Sequence, residues 1–125
     1  MGRCIGLRHA AAEPSSADGV RVLIDRRWPP GLRKEQVSAD LWLKDLGPSE
    51  SLTRWYGRDA RRWSAFAQRY RAELLEQRDL VLLLCELWDR GPLTLLYCNR
   101  DAEHCAAAVV REMMEERVLA ARSLQ

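Results

Sequence analysis

Two stretches of the chain concentrate side chains that can do chemistry. The first is Asp25-Arg26-Arg27-Trp28, directly ahead of Pro29-Pro30-Gly31; the second is Asn99-Arg100-Asp101-Ala102-Glu103-His104. Paired arginines can grip an anion bidentately, and a helix N-terminus beside them adds backbone donors and a favourable dipole. Arg26, Arg27, Trp28, Arg100, Asp101 and His104 are therefore the candidate ligand-binding residues, and their ligand is expected to be an anionic small molecule. Asp25 and His104 are the candidates for acid–base work, Asp25 as a base or as the anchor of Arg26, His104 as a proton shuttle. Each has a plainer alternative. Asp25 and Arg26 can be an ion pair bracing a stiff turn, Asp101 a helix N-cap, and His104 a half-exposed polar residue.

Cys98 and Cys105 offer a second chemistry. Cys98 closes an apolar run and Cys105 falls in the first turn expected of the next helix, where the helix dipole lowers a thiol pKa. Against redox or metal roles, Cys98, His104 and Cys105 lack a second ligand pair at a recognisable spacing, and small core-filling thiols explain both cysteines. No metal or cofactor is expected. There is no Gly-rich phosphate loop, and Ser49 lacks the Gly-x-Ser-x-Gly turn of a hydrolase nucleophile.

A third possibility lies in the charge distribution. Residues 54–71 hold Arg54, Arg58, Arg61, Arg62, Arg69 and Arg71 against Asp59 alone, while 101–116 hold Asp101, Glu103, Glu112, Glu115 and Glu116 against Arg111. Such a basic stripe would make nucleic-acid affinity fall steeply with salt, and the acidic segment could meet a basic partner. The tryptophans and Tyr70 sit at core spacing rather than between the arginines, which weighs against nucleic acid.

These residues need a scaffold. At 125 residues, with 47% hydrophobic and 30% charged side chains and a net charge of +2, the chain suits one globular domain and not a disordered segment. The longest apolar run, Leu80–Cys85, is far too short to span a bilayer, no secretory leader opens the chain, and four scattered cysteines do not make a disulfide lattice. A cytoplasmic protein with reduced thiols is expected.

Residues 4–7 and 20–25 read as strands separated by the turn chemistry of 14–19, and residues 33–39 as a short helical turn. Residues 41–46 read as a brief strand or turn. Ser49 or Ser51 can cap a short helix through Tyr56. After Asp59, a second N-cap, Trp63, Phe66, Ala67, Tyr70 and Leu74 recur at helical spacing. Leu80, Leu83, Leu84 and Leu87 predict a helix over 79–89, ended by Gly91-Pro92. Residues 93–98 read as a central strand buried on both faces. A last helix is expected over 103–119 with Ala106, Val109, Val110, Met113 and Met114 inward, fraying after Ala120. Strands separated by helices predict a small three-layer α/β fold with a mainly parallel sheet, and ligands in such folds collect at the carboxyl ends of strands. Both chemical stretches leave such ends.

The ordered motifs "RVLIDRRWPPGL", "LWLKDLGPS", "LTRWYGRD", "RWSAFAQRYRAEL" and "LTLLYCNRDAEH" resemble the YeaO-like branch of the bacterial domain-of-unknown-function 488 family, over residues 20 to about 115. The resemblance implies a small cytoplasmic α/β protein without an established activity. It also marks Asp25, Arg26, Trp28, Pro29, Gly31, Trp42, Pro48, Ser49, Trp55, Tyr70, Tyr97, Asp101 and His104 as family-like positions. Pro30 stands where that branch usually has arginine, Cys98 where a small residue is usual, and Cys105 where asparagine is frequent. A more distant branch has cysteine followed by histidine and arginine at this last place; here Ala106 and Ala107 follow, so its thiol chemistry does not carry over.

Overall fold

The computed structural model of the chain describes residues 4–99 and 101–123, with side chains through residue 117. Four short strands, β1 (Gly6–His9), β2 (Val20–Leu23), β3 (Leu41–Trp42) and β4 (Leu93–Tyr97), pair in the order β1-β4-β2-β3, all parallel. The apolar strand β4 lies between β1 and β2, with Leu95 opposite both Leu7 and Val22. Parallel neighbours cannot be joined by tight hairpins, so longer connections carry the chain back each time.

Strand alternation divides the core in two. Val22, Ile24, Leu93 and Leu95 face one cluster, and Leu23 and Leu96 face the other. The first cluster is covered by four helices: α2 (Glu50–Tyr56), α3 (Trp63–Leu75), α4 (Arg78–Arg90) and α5 (Ala106–Ser123). Among the described residues the second is covered by a single helical turn, α1 (Lys34–Val37), by loops carrying Trp28, Leu32 and Ala39, and by Trp42 of β3. The result is a three-layer α/β domain with one thick and one thin outer layer.

The helix ends follow local chemistry. Ser49 Oγ accepts the Leu52 N–H at 3.2 Å to open α2, which closes at Gly57 in the left-handed region (φ 54°). Asp59 caps a short 3-10 turn ahead of α3, whose Phe66, Tyr70 and Leu74 are buried. The Tyr70 hydroxyl donates to the Leu46 carbonyl and ties α3 to the loop before α2. In α4 the buried residues are Val81, Leu84 and Trp88; of the expected Leu80, Leu83, Leu84 and Leu87, Leu84 is fully buried and Leu80 and Leu87 pack at the edge of the core. Trp88 brings more apolar surface into the core than a leucine can, and Leu82 is left 41% exposed.

The last helix starts later than expected, at Ala106. The Asp101 carboxylate accepts the Glu103 N–H at 3.0 Å and its carbonyl accepts the His104 N–H, closing a separate turn ahead of α5. Asp101 is therefore not the N-cap of the last helix. That helix continues to Ser123, past the point where fraying was expected.

Beneath the thin layer sits a buried ion pair. The Arg21 guanidinium meets Asp18 at 2.7 Å and donates to the Val37 and Ser38 carbonyls at 2.7 and 3.1 Å. Burial alone would raise the Asp18 carboxyl; the Ser15 N–H, Arg21 and Arg8 together outweigh it and hold the carboxyl below its usual range. Among the described residues no helix is long and apolar enough to cross a membrane.

Candidate functional site

β2 and β4 are neighbours, so the residues that follow them meet at one end of the sheet. Asp25 follows β2. Its carbonyl accepts the Trp42 indole N–H at 2.7 Å, and its carboxylate Oδ2 accepts the Cys98 thiol at 3.2 Å. A cavity of about 390 Å³ opens over this pair, within the roughly 300–1,000 Å³ usual for small-molecule sites. Its walls include Tyr56, Trp63 and Phe66, three rings packed at centroid distances of 4.8 to 5.8 Å, together with Tyr97.

The other side of the cavity is built by the turn before α5. His104 Nδ1 is 2.6 Å from Asp101 Oδ2, and its ring sits against Trp63 at 5.0 Å. That hydrogen bond holds the Asp101 carboxyl below its usual range, with the Glu103 N–H adding to it. A carboxylate on Nδ1 selects the tautomer and orients the imidazole, the arrangement from which a histidine exchanges a proton through Nε2.

Opposite stands Arg58, which lines both this cavity and an overlapping outer recess of about 420 Å³ with Asn99, Asp101 and His104. Arg58 has φ 60°, directly after Gly57, and among the described residues its guanidinium has no hydrogen-bond or ion-pair partner. A non-glycine residue in the left-handed region costs about 1–2 kcal/mol, and such strain clusters where function needs a particular side-chain placement.

The expected site residues are thus distributed. Asp25, Asp101 and His104 come together around the cavity. Arg26 and Arg27 lie one wall away, in a recess of about 270 Å³ that shares Asp25, Pro48 and Thr53 with the cavity. There Arg26 Nε donates to the Pro48 carbonyl at 2.8 Å and Arg27 reaches Glu50 at 3.4 Å. Trp28 is on the opposite face of the sheet, edge-on to Trp42 at 5.3 Å, its indole N–H donating to the Leu32 carbonyl at 2.6 Å. Arg100 lies outside the described residues. Sequence reasoning placed Arg58 only in a basic stripe. Gly57 after a short helix is the signal for a left-handed turn, but nothing in an arginine announces that it continues that turn.

Neither thiol has the lowered pKa that the redox alternative required. Burial, and then the Asp25 charge, push Cys98 up to about 12. At Cys105 burial outweighs the Ala108 and Ala107 N–H groups that favour a thiolate, so its pKa is raised, not lowered as the helix position suggested. Both are neutral thiols near pH 7. Among the described residues no group of three His, Cys, Asp or Glu side chains is placed to hold a metal ion.

The basic stripe is largely engaged within the fold. Arg62 and Arg69 lie over the Trp55 ring at 5.1 and 4.1 Å, Arg61 pairs with Asp59, and Arg71 reaches across to Glu116 of α5 at 2.8 Å.

Residues 4–124 match a protein family described as the inactive DUF488-N3 subclade. The chain belongs to that family. It is 37% identical over 100 residues to an uncharacterised protein of Mycobacterium tuberculosis H37Rv, covering 80% of this chain and 84% of the relative. An uncharacterised protein of Mycobacterium bovis is similar to the same extent. The uncharacterised protein YeaO of Escherichia coli K12 is 31% identical over 98 residues, 78% of this chain and 85% of YeaO. The YeaO-like character read in the motif order stands. No solved structure matches.

Proposed function

We propose that this chain is a cytoplasmic binding protein that holds an anionic small molecule, without turning it over, at the carboxyl ends of β2 and β4. The observation that carries the reading is Arg58, a guanidinium without a partner among the described residues, kept by a left-handed turn in the lining of a strand-end cavity. His104, oriented by Asp101, supplies a second donor beside it. Binding without turnover is supported by the protonated thiols, by an Asp25 carboxylate already accepting from Cys98, and by membership of a subclade described as inactive. Free cysteines suit a reducing compartment.

The test is thermal unfolding of the chain against a panel of anionic metabolites at two salt concentrations, with Arg58→Ala alongside. A ligand at 100-fold its Kd stabilises the fold by about 2.7 kcal/mol, a midpoint rise on the order of 10 °C. A salt-tolerant rise that disappears in Arg58→Ala is expected. An undiminished rise in that variant, or shifts from oligonucleotides alone at low salt, would refute the assignment.

A further inference from the structure

We infer that the ligand is a mononucleotide, its nitrogen heterocycle in the 390 Å³ cavity and its phosphate on the arginines of the adjoining 270 Å³ recess. This rests on the anion-binding reading above and deepens it. The two hollows share Asp25, Pro48 and Thr53 in their walls, so one molecule of modest length can reach both. Their chemistry differs in kind.

The cavity is walled by aromatic rings and presents one carboxylate, that of Asp25. Cys98 occupies Oδ2, and Oδ1 has no hydrogen-bond partner among the described residues. Arg58 on the same wall is a cation, so the cavity offers both an acceptor at Asp25 and a donor at Arg58. A flat heterocycle with a ring N–H or amino group satisfies both the rings and the free oxygen.

The recess carries Arg26, Arg27 and Arg54 against the carboxylates of Asp25 and Glu50. Arg27 is paired with Glu50 at 3.4 Å, and Arg26 is anchored only through Nε, which leaves its two terminal nitrogens to face a ligand. Arg54 has no partner among the described residues. Two available guanidinium groups on one wall match a phosphate monoester better than a single carboxylate, because each can take two oxygens.

The experiment is calorimetric titration of the full chain with AMP, GMP, CMP and UMP, the matching nucleosides, ribose 5-phosphate and inorganic phosphate. At least one monophosphate is expected to bind tenfold or more tightly than both its nucleoside and ribose 5-phosphate. Arg26→Ala/Arg54→Ala, at two exposed positions, should lower that nucleotide to the affinity of its nucleoside. Asp25→Asn should weaken nucleotide and nucleoside alike and leave ribose 5-phosphate unchanged. Ribose 5-phosphate or inorganic phosphate binding as tightly as every nucleotide would overturn the nucleotide assignment while leaving the anion reading intact. Nucleosides binding as tightly as their monophosphates would likewise overturn the nucleotide assignment, and no binding by any probe together with no response to other anions would overturn both.

Discussion

Asp25 is held from two directions, by an indole on its carbonyl and a thiol on its carboxylate. The consequence for Cys98 is measurable. Because its thiol titrates near 12 rather than at the usual 9.0, alkylation by iodoacetamide at pH 8 should be at least about 100-fold slower than in the urea-unfolded chain; rates within tenfold of each other would contradict the environment described. The same proton sets a pH dependence. Below pH 9 folded and unfolded chains both keep it; between 9 and 12 only the folded chain does, so the stabilisation is lost as pH rises through that window. Cys98→Ser, which donates to Asp25 but does not titrate there, should show a shallower fall in denaturant midpoint across it. Arg58 gives a second prediction. Asparagine adopts the left-handed region more readily than arginine, so Arg58→Asn should unfold no earlier than the natural chain and yet lose its response to anions in thermal-shift measurements. The site was partly legible in the sequence. Asp25, Asp101 and His104 follow strands and announce themselves by type. Arg58 does not, because its role depends on a backbone conformation that arginine seldom takes, and Trp28 misleads because the chain beyond β2 turns it to the other face.

At the scale of elements, the thin layer depends on one charge pair. Arg21 fastens β2 to the end of α1 through two carbonyls, and Asp18 neutralises it in the interior. Asp18→Asn removes the charge and leaves a buried guanidinium uncompensated, which should cost about 3–5 kcal/mol by urea denaturation; a loss below about 1 kcal/mol would show that the layer stands without the pair. Since the folded Asp18 pKa is lowered, its contribution is present above 3.8 and disappears as pH falls through the depressed value, so acid should unfold the natural chain with Asp18 as a contributor. Element type was well marked in the sequence, by Ser49, Asp59 and Gly91-Pro92 at the ends and by the stripe Phe66, Tyr70, Leu74 within. What escaped it were tertiary choices. Leu80, Leu83, Leu84 and Leu87 marked one face of α4 but did not show that Val81 and Trp88 would be the buried residues beside Leu84. Asp101 met every local requirement of an N-cap but closed its own turn first.

For the molecule as a whole, unequal layers predict unequal local stability. β2 and β4 are each paired on both edges, whereas β3 pairs only with β2 and contributes two residues. In native-state hydrogen exchange the amides of β2 and β4 should be the slowest, and those of β3 and α1 should exchange through a lower-energy partial opening; equal protection of all four strands would contradict this. The strand order also has a consequence for how the chain is made. β4 is the last strand to leave the ribosome, and both β1 and β2 pair with it and not with each other. During synthesis the N-terminal strand has no sheet to join until residue 97 has emerged, and only the two-residue pairing of β2 with β3 is available earlier. The nascent chain therefore keeps its apolar strands unburied until β4 has left the ribosome, and a ribosome stalled before Leu93 would carry a chain that cannot build its sheet.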